Sequence, residues 1–289
     1  TTGRVYEDRT WSEGLHQAVE AKEGLSITEE SLTLAQITRQ RFARFYPLLA
    51  GMTGTATGCE REFRSVYGLK IQSIPLRVES KRRLLPARFF ATQQAKRAGI
   101  AESVKGIHAE ARPVLIGTRS ISESELLASV IEQHGIPVQI LNGRQDAQEA
   151  DIVAAAGQLG AVTISTNLAG RGTDIKLGEG VRQLGGLHVV VSECNESHRM
   201  DRQLIGRCAR QGDPGSAQFF TSAEDALLVQ FGPWLAKTIE RHANAQGEAD
   251  VDVMSHLLRL QRVAERQACS VRKALFRDDL MRDSVYAEK

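Results

Sequence analysis

Residues 113–141 read PVLIGTRSISESELLASVIEQHGIPVQIL, and the fold prediction rests on this stretch. Two short apolar segments, residues 113–117 and 137–141, flank a segment of helical character over residues 122–134. Short β-branched segments that alternate with helical stretches are typical of parallel strands joined by crossover helices. The stretch therefore predicts a strand, a helix and a second strand of an α/β sheet.

The same alternation continues downstream of this stretch. Further apolar segments that predict strands cover residues 161–165, 187–192 and 217–221. Further segments that predict helices cover residues 147–157, 198–210 and 223–231. We therefore expect an α/β fold with a parallel sheet that helices cover on both faces.

Three flanking segments have other patterns. Residues 33–49 predict a helix, followed by a short buried strand and a turn before residue 56. Residues 71–86 are basic and contain two prolines, which predicts an extended linker. Residues 253–280 predict one long amphipathic helix, because apolar residues recur at helical spacing. Its apolar stripe consists of Leu257, Leu260, Ala264, Ala268, Val271 and Leu275, and we expect it to promote self-association in isolation.

The composition is that of a globular protein without strong charge. The 289 residues are 42% hydrophobic, and 37 basic residues against 35 acidic residues give a formal charge of +2. This balance does not favour a dedicated nucleic-acid binder. Neither a long apolar run nor an apolar signal core is present, and the first residue is not Met. We therefore expect a cytoplasmic protein and a fragment of a longer chain.

The loop after the predicted strand 161–165 is the first candidate for ligand binding. In open α/β sheets, ligands lie outside the carboxyl ends of the strands. Glycines at positions 170 and 172 allow the backbone to approach a ligand, and Asp174 can accept hydrogen bonds from a ribose or orient an arginine. A tight turn with a capping Asp is an equally compatible interpretation of this loop.

The second candidate is the segment from Gln203 to Asp213. On a helix, Gln203, Arg207 and Arg210 lie at positions i, i+4 and i+7, so their side chains are expected on one face. Two guanidinium groups in one place can stabilise charge on a transferred phosphoryl group. A solvated basic helix face is the alternative, but Gly206 within a helix indicates a close approach and favours the functional interpretation.

Other motifs limit the chemistry. Residues 117–125 follow a predicted strand and are interpreted as plain helix capping. The sequence contains no Gly-Lys dipeptide, hence no P-loop, and no Asp-Glu pair of the Walker B type. His188, within an apolar strand, is interpreted as a hydrogen-bonded core residue. We therefore expect no ATP hydrolysis by this chain alone, and no metal site built from its own residues.

Four blocks of the sequence resemble the SecA family of protein-translocation ATPases, in the family's order. These blocks cover residues 11–24, 49–56, 166–174 and 203–213. The resemblance extends over nearly the whole chain. It implies a RecA-like sheet, the type of P-loop NTPases, in a second nucleotide-binding domain over residues 75–235. It also implies that residues 1–74 end the first nucleotide-binding domain and that residues 236–289 begin the helical scaffold.

The resemblance also implies roles for individual residues. Asp174, Gly172 and Gln203 match positions that line the ATP cleft, and Arg207 and Arg210 match the arginine fingers. The motif Thr53-Gly54-Thr55 matches the segment that couples the two lobes. ATP with Mg²⁺ is the implied ligand, with the metal ligands expected from the missing P-loop lobe.

The implied function is that of a motor part at the inner face of the cell membrane. The implied partners are the missing P-loop lobe, preprotein substrates, the SecYEG channel and a second copy of the chain; nucleic acid is not expected. The sequence departs from the family in its short loop between Asp174 and Gly185, in Cys208-Ala209 and in Arg119. Two rival functions stay open, the second lobe of a nucleic-acid helicase and a non-catalytic SecA-like module that binds a partner.

Overall fold

A computed structural model describes residues 11, 13–29, 36–141, 149–166 and 173–287. The helices in this part of the chain are α1 (Leu15–Lys22), α2 (Arg39–Arg44), α3 (Glu60–Tyr67), α4 (Gln93–Ala109), α5 (Ile121–Glu132), α6 (Glu149–Ala155), α7 (His198–Ile205), α8 (Ala226–Phe231), α9 (Pro233–Arg241) and α10 (Met254–Ala287). The strands are β1 (Lys81–Leu84), β2 (Arg88–Phe90), β3 (Val114–Thr118), β4 (Gln139–Leu141), β5 (Val162–Thr166), β6 (Leu187–Val191), β7 (Pro214–Ser222) and β8 (Glu248–Ala249).

These strands form one sheet that is almost entirely parallel. Its order is β4-β5-β3-β6-β7-β2-β8, and β1 pairs with β7 beside β2. Only the β2–β8 pair among the described strands is antiparallel. The predicted α/β fold with a parallel sheet is confirmed. The strands that carry the candidate loops, β5 and β6, flank the central strand β3.

Helices cover both faces of the sheet because successive strand residues point to opposite sides. In β6, Val190 belongs to the core cluster that contains the buried residues of α4 and α5. Its neighbours Val189 and Val191 belong to the other cluster, with Leu204 of α7 and Leu257 of α10. Because side chains on both faces are buried, the central strands read as continuous apolar segments.

The expected strand between residues 49 and 56 is wrong. Of the helix predicted over residues 33–49, the described residues form a helix only over Arg39–Arg44, and the segment after it has no strand. Met52, the large apolar residue inside this segment, is 99% exposed, and Leu49 is only partly buried. A strand needs a neighbour for its backbone hydrogen bonds, and none of the described strands pairs with this segment.

The predicted linker over residues 71–86 also needs correction. Its second half forms β1, whose residues Lys81–Leu84 pair in parallel with residues 214–217 of β7. Three of the four β1 residues are exposed, so the strand lacks the apolar alternation that predicts strands. Helices α4 and α9 and the short strands β2 and β8 were likewise not predicted.

The long amphipathic helix is confirmed as α10, but its apolar stripe is buried only at the beginning. Leu257, Leu260 and Ala264 are buried, whereas Val271 and Leu275 are 55% and 56% exposed. In the second half of the helix, Phe276 is buried instead. Among the described helices, none combines the length and the apolar character that a membrane crossing requires.

Candidate functional site

The carboxyl edge of the sheet brings two distant segments together. Strand β5 ends at Thr166, ahead of the segment that contains Asp174, and α7 follows β6 and leads to Arg210. Because β3, β5 and β6 are neighbouring parallel strands, their carboxyl ends share one edge. This edge is where ligands bind in open α/β sheets.

Helix α7 is shorter than predicted, and the predicted shared helical face is wrong. The helix ends at Ile205, with Gly206 as its C-cap. Beyond it, Ala209 and Gln211 have φ values of 55° and 51°, in the left-handed region that ends helices. Arg207 and Arg210 therefore lie in a series of turns, not on the helix that carries Gln203.

Arg210 nevertheless meets Asp174, as the sequence predicts. Its Nη1 donates to Asp174 Oδ1 at 2.6 Å, and its Nε donates to the carbonyl of Gly206 at 3.0 Å. The two side chains are 40% and 43% exposed. The guanidinium group is thus held at its base by the end of α7 and at its tip by the carboxylate, within reach of solvent.

The other two residues predicted at this edge differ from Arg210. Arg207 is half-buried in the turn after α7, where its N–H donates to the carbonyl of Leu204 at 3.0 Å. Gly172 lies outside the described residues. Of the two arginines, Arg210 lines the open cleft described next, and Arg207 is not among its described lining residues.

A cleft of about 640 Å³ opens beside the Asp174–Arg210 pair. Its walls come from the turn at residues 209–212 and from residues 76–82, which the sequence suggested only as a linker. The described lining residues are Leu76, Arg77, Val78, Ser80, Arg82, Asp174, Ala209, Arg210, Gln211 and Gly212. Three guanidinium groups and one carboxylate in a cleft of this size suit an anionic ligand that also carries hydroxyl groups.

The linker contribution to this cleft was missed, although basic residues at positions 77 and 82 were a visible signal. Arg82 Nη2 donates to the carbonyl of Cys208 at 3.1 Å. Val78 packs on Gly212, whose φ is +85° and where an added Cβ would lie 3.1 Å from Val78 Cγ1. A side chain at position 212 would therefore be strained and would crowd Val78.

Gln203 contacts the Thr53-Gly54-Thr55 segment, the predicted coupling motif. Its Nε2 donates to Thr55 Oγ1 at 3.2 Å, and the two hydroxyl groups of Thr53 and Thr55 are 3.2 Å apart. The adjacent Arg202 donates to the carbonyls of Thr55 and Thr57 at 3.4 and 2.7 Å. Helix α7 thus connects the Thr53-Gly54-Thr55 segment with the turn that carries Arg210.

The absence of a side chain at Gly117 sets how closely α7 approaches the sheet. A Cβ at this position of β3 would lie 2.1 Å from Leu204 Cδ2 of α7. Such a distance is far below van der Waals contact, so any larger residue would displace the Leu204 side chain. Gly117 therefore allows Leu204 of α7 to pack directly on β3.

The loop after β3 has the plain structural role that its sequence suggests. Ser120 caps α5, because its hydroxyl accepts a hydrogen bond from the Glu123 N–H at 3.1 Å. Arg119 pairs with Glu193 and Glu196 at 3.0 and 3.1 Å. These contacts fasten the loop after β3 to the loop after β6.

Within the described residues, no three histidine, cysteine, aspartate or glutamate side chains converge in a way that could hold a metal ion. The contribution of metal ligands by a separate P-loop lobe stays a prediction. His188 is fully buried, as expected of a core residue, and its Nδ1 lies 2.8 Å from Ser216 Oγ. Its Nε2 has no described partner.

Two family models match the chain. The model described as the SecA P-loop domain matches residues 80–183 and 178–247. The model described as the SecA DEAD-like domain matches residues 4–64. The P-loop domain match includes Asp174, Gln203, Arg207 and Arg210.

Solved structures of helicases are weakly similar. The E. coli DEAD-box protein SrmB is 22% identical with a TM-score of 0.40, over 53% of this chain and 83% of that one. The yeast DEAD-box splicing factor Prp28 is 18% identical with a TM-score of 0.43, over 71% of this chain and 44% of that one.

Curated relatives are much more similar in sequence. The protein translocase subunit SecA 2 of Geobacillus thermodenitrificans is 46% identical over 286 residues, which are 98% of this chain and 36% of the relative. The protein translocase subunit SecA of Halothermothrix orenii is 46% identical over 298 residues, with 100% and 35% covered. The chain spans about a third of the length of these relatives. With one SecA domain model matching more than half of its residues, the chain belongs to the SecA family.

Proposed function

We propose that this chain forms the second lobe of the ATP site in a SecA-type protein-translocation motor. The observation that carries the proposal is the 2.6 Å contact between Arg210 and Asp174 at the mouth of a cleft. A carboxylate that can bind a ribose hydroxyl and a guanidinium that can bind a phosphate suit the two ends of a nucleotide. Both groups are partly exposed, so they can exchange their mutual contact for contacts with ATP.

Each charged residue of the cleft would then have its own role in binding ATP or in its hydrolysis. Asp174 would accept hydrogen bonds from the ribose and orient Arg210. Arg210 would stabilise the negative charge that develops on the transferred phosphoryl oxygens, as arginine fingers do. Arg77 and Arg82 would add positive charge along the cleft wall, and Arg207 stays a proposed second finger on the strength of its family position.

Helix α7 would carry the signal between the lobes. Gln203 and Arg202 hold the Thr53-Gly54-Thr55 segment, which belongs by family position to the first lobe. Closure of the first lobe on the nucleotide would therefore pull on the helix that precedes Arg210. Translocation of preproteins through the SecYEG channel at the membrane would be driven by this closure and opening.

The chain would depend on a P-loop-containing first lobe for turnover. Its sequence has no Gly-Lys dipeptide to grip the β- and γ-phosphates. Its described residues also offer no cluster of ligands for Mg²⁺, which would neutralise phosphate charge when bound. The missing P-loop is equally compatible with the alternative, a non-catalytic module that binds a partner.

The proposal is tested by reconstitution. The chain is mixed with a purified P-loop-containing first lobe from a SecA relative, and ATP hydrolysis is measured. We expect ATPase activity only in the mixture, and a loss of about 10²-fold or more in kcat when Arg210→Ala replaces the parent chain.

The control variant is Arg282→Ala, whose side chain is 65% exposed in a pair with Asp278 on α10. It removes a guanidinium group of the same charge from a site far along the sequence, and it should leave the ATPase rate unchanged. An Arg210→Ala complex with parental turnover would refute the finger role. RNA-stimulated hydrolysis with no response to preprotein would favour the helicase alternative.

A further inference from the structure

A buried polar junction joins α7 to the long helix α10. Asp201, in the first turn of α7, and Gln261 of α10 are each 1% exposed. Gln261 Nε2 donates to Asp201 Oδ2 at 2.6 Å and to the carbonyl of Asn195 at 2.7 Å. Asp201 Oδ1 accepts from the backbone N–H and the side-chain amide of Asn195 at 3.0 and 2.7 Å.

In this junction both carboxylate oxygens of Asp201 accept hydrogen bonds, and the positions of the donors are specific. Each oxygen of the carboxylate faces N–H donors, and both contacts of Gln261 use the same amide nitrogen. A buried carboxylate without such donors would cost several kcal/mol, on the order of the penalty for an unpaired buried charge. The arrangement therefore tolerates little displacement of α10 relative to α7.

Asp201 lies on the short helix that precedes the turn with Arg210. Two residues after Asp201, Gln203 binds Thr55, and the helix ends at Ile205 with Gly206 as its C-cap. The carbonyl of Gly206 accepts from Arg210 Nε at 3.0 Å, and Arg210 binds Asp174 at 2.6 Å. A continuous series of hydrogen bonds and one turn-and-a-half of helix thus extends from α10 to the guanidinium group.

We propose that Asp201 and Gln261 are positioning residues: through them, α10 sets the place of the turn that carries Arg210. The inference deepens the proposed function, on which its catalytic consequence rests. It assigns the long helix a direct effect on the nucleotide side of the motor through two named side chains. A shift of α10 would change the position of Arg210 without any contact between that helix and the nucleotide.

The first test measures hydrogen exchange on this chain alone. Gln261→Met keeps the approximate volume of the side chain and removes both of its hydrogen bonds. Gln261 lies on α10, away from the Arg210 turn, and the proposal assigns the path between them to Asp201 and α7. We expect the amides of Arg207 and Asp213, which donate to Leu204 and Arg210, to exchange about tenfold faster. The amides of β3 and β5 should keep their parental rates.

The matched control is Ser197→Ala at the rim of the same interface. The Ser197 hydroxyl donates to Glu265 Oε1 of α10 at 2.8 Å. Its loss removes one contact between the same two segments without touching Asp201, so the Arg210 turn should exchange at the parental rate. Faster exchange in α7 with an unchanged Arg210 turn would overturn the proposal, and so would an equal response to the control.

Asp201→Asn serves as a second variant if Gln261→Met does not fold. An amide N–H₂ at position 201 must face one of the donors, so the junction loses a hydrogen bond while its volume is kept. The same faster exchange in the Arg210 turn is expected. Parental exchange in this turn, in a folded Asp201→Asn chain, would overturn the proposal.

The second test uses the complex with a P-loop-containing lobe. With Gln261→Met, we expect kcat to fall about tenfold and the KM for ATP to stay within about twofold, because the finger acts on the transition state. A parental kcat in an active complex would overturn the positioning role. An inactive parent complex would instead refute the proposed function, and the exchange experiment would still decide whether α10 positions the Arg210 turn.

Discussion

Arg210 and Asp174, 36 positions apart in the chain, form an ion pair with 2.6 Å between Nη1 and Oδ1. The side chains of this pair are 40% and 43% exposed, so water screens their attraction. Exposed ion pairs contribute about 0–1 kcal/mol to stability. The pair therefore contributes little to folding, and both side chains are accessible to a ligand.

The first prediction separates stability from activity at this pair. Arg210→Ala should change the free energy of unfolding of the chain by less than about 1 kcal/mol, because the pair is exposed. The same variant should lower the ATPase rate of the reconstituted complex by about 10²-fold or more. Urea unfolding and steady-state ATPase assays measure the two effects, and a large loss of stability would point to a structural role.

The contact between Thr55 and Gln203 supports a second prediction. Thr55 is 7% exposed and its hydroxyl accepts from Gln203 Nε2. Thr55→Val keeps the shape of the side chain and removes this acceptor. The free energy of unfolding of the chain should therefore fall by about 1–3 kcal/mol, and the ATPase rate of the reconstituted complex should fall. Thr57→Val is the control, because Arg202 binds the Thr57 backbone carbonyl and the side chain is exposed. Equal effects of the two variants in urea unfolding would contradict the prediction.

A third prediction concerns the ion pair between α4 and the turn after β7. Lys96 Nζ lies 2.6 Å from Asp225 Oδ1, and both side chains are 1% exposed. Lys96→Met would leave the carboxylate buried without its cation, at a cost of about 3–5 kcal/mol. Arg282→Ala, which breaks an exposed pair with Asp278, should cost less than about 1 kcal/mol. Urea unfolding of both variants checks this contrast, and similar losses would contradict it.

The convergence of Asp174 and Arg210 followed from sequence because both segments were expected at the carboxyl edge of a parallel sheet. The helical face was wrong because α7 stops at Gly206, and the turns after it use left-handed backbone at Ala209 and Gln211. Neither residue type signals that conformation. Strand β1 was missed because its Lys-Arg-Arg sequence is exposed and has no apolar alternation. The Asp201–Gln261 junction depends on two helices 60 positions apart, and no local pattern reports such a pairing.

The last prediction concerns the pH dependence of stability. Burial, and then the nearby guanidinium of Arg112, lowers the pKa of His188 to about 4 from its ordinary value of 6.5. Between pH 6.5 and 4, His188 is protonated in the unfolded chain but stays neutral in the folded chain. The stability that the neutral imidazole allows is therefore complete above pH 6.5 and is lost as the pH falls towards 4.

The size of this effect is measured against His188→Asn, whose amide can keep a hydrogen bond to Ser216. Between pH 6.5 and 4.5 the parent should lose about 2–3 kcal/mol relative to this variant, from the difference between the two pKa values. Burial raises the pKa of Asp201 and of Asp225 to about 6. Protonation of these two carboxyl groups makes the folded chain more stable as the pH falls, which is opposite to the effect of His188. Both proteins contain them, so the difference between the two urea-unfolding curves isolates His188. A difference that stays constant over this pH range would show that the folded chain protonates the imidazole as readily as the unfolded chain does, and that burial does not exclude the charge.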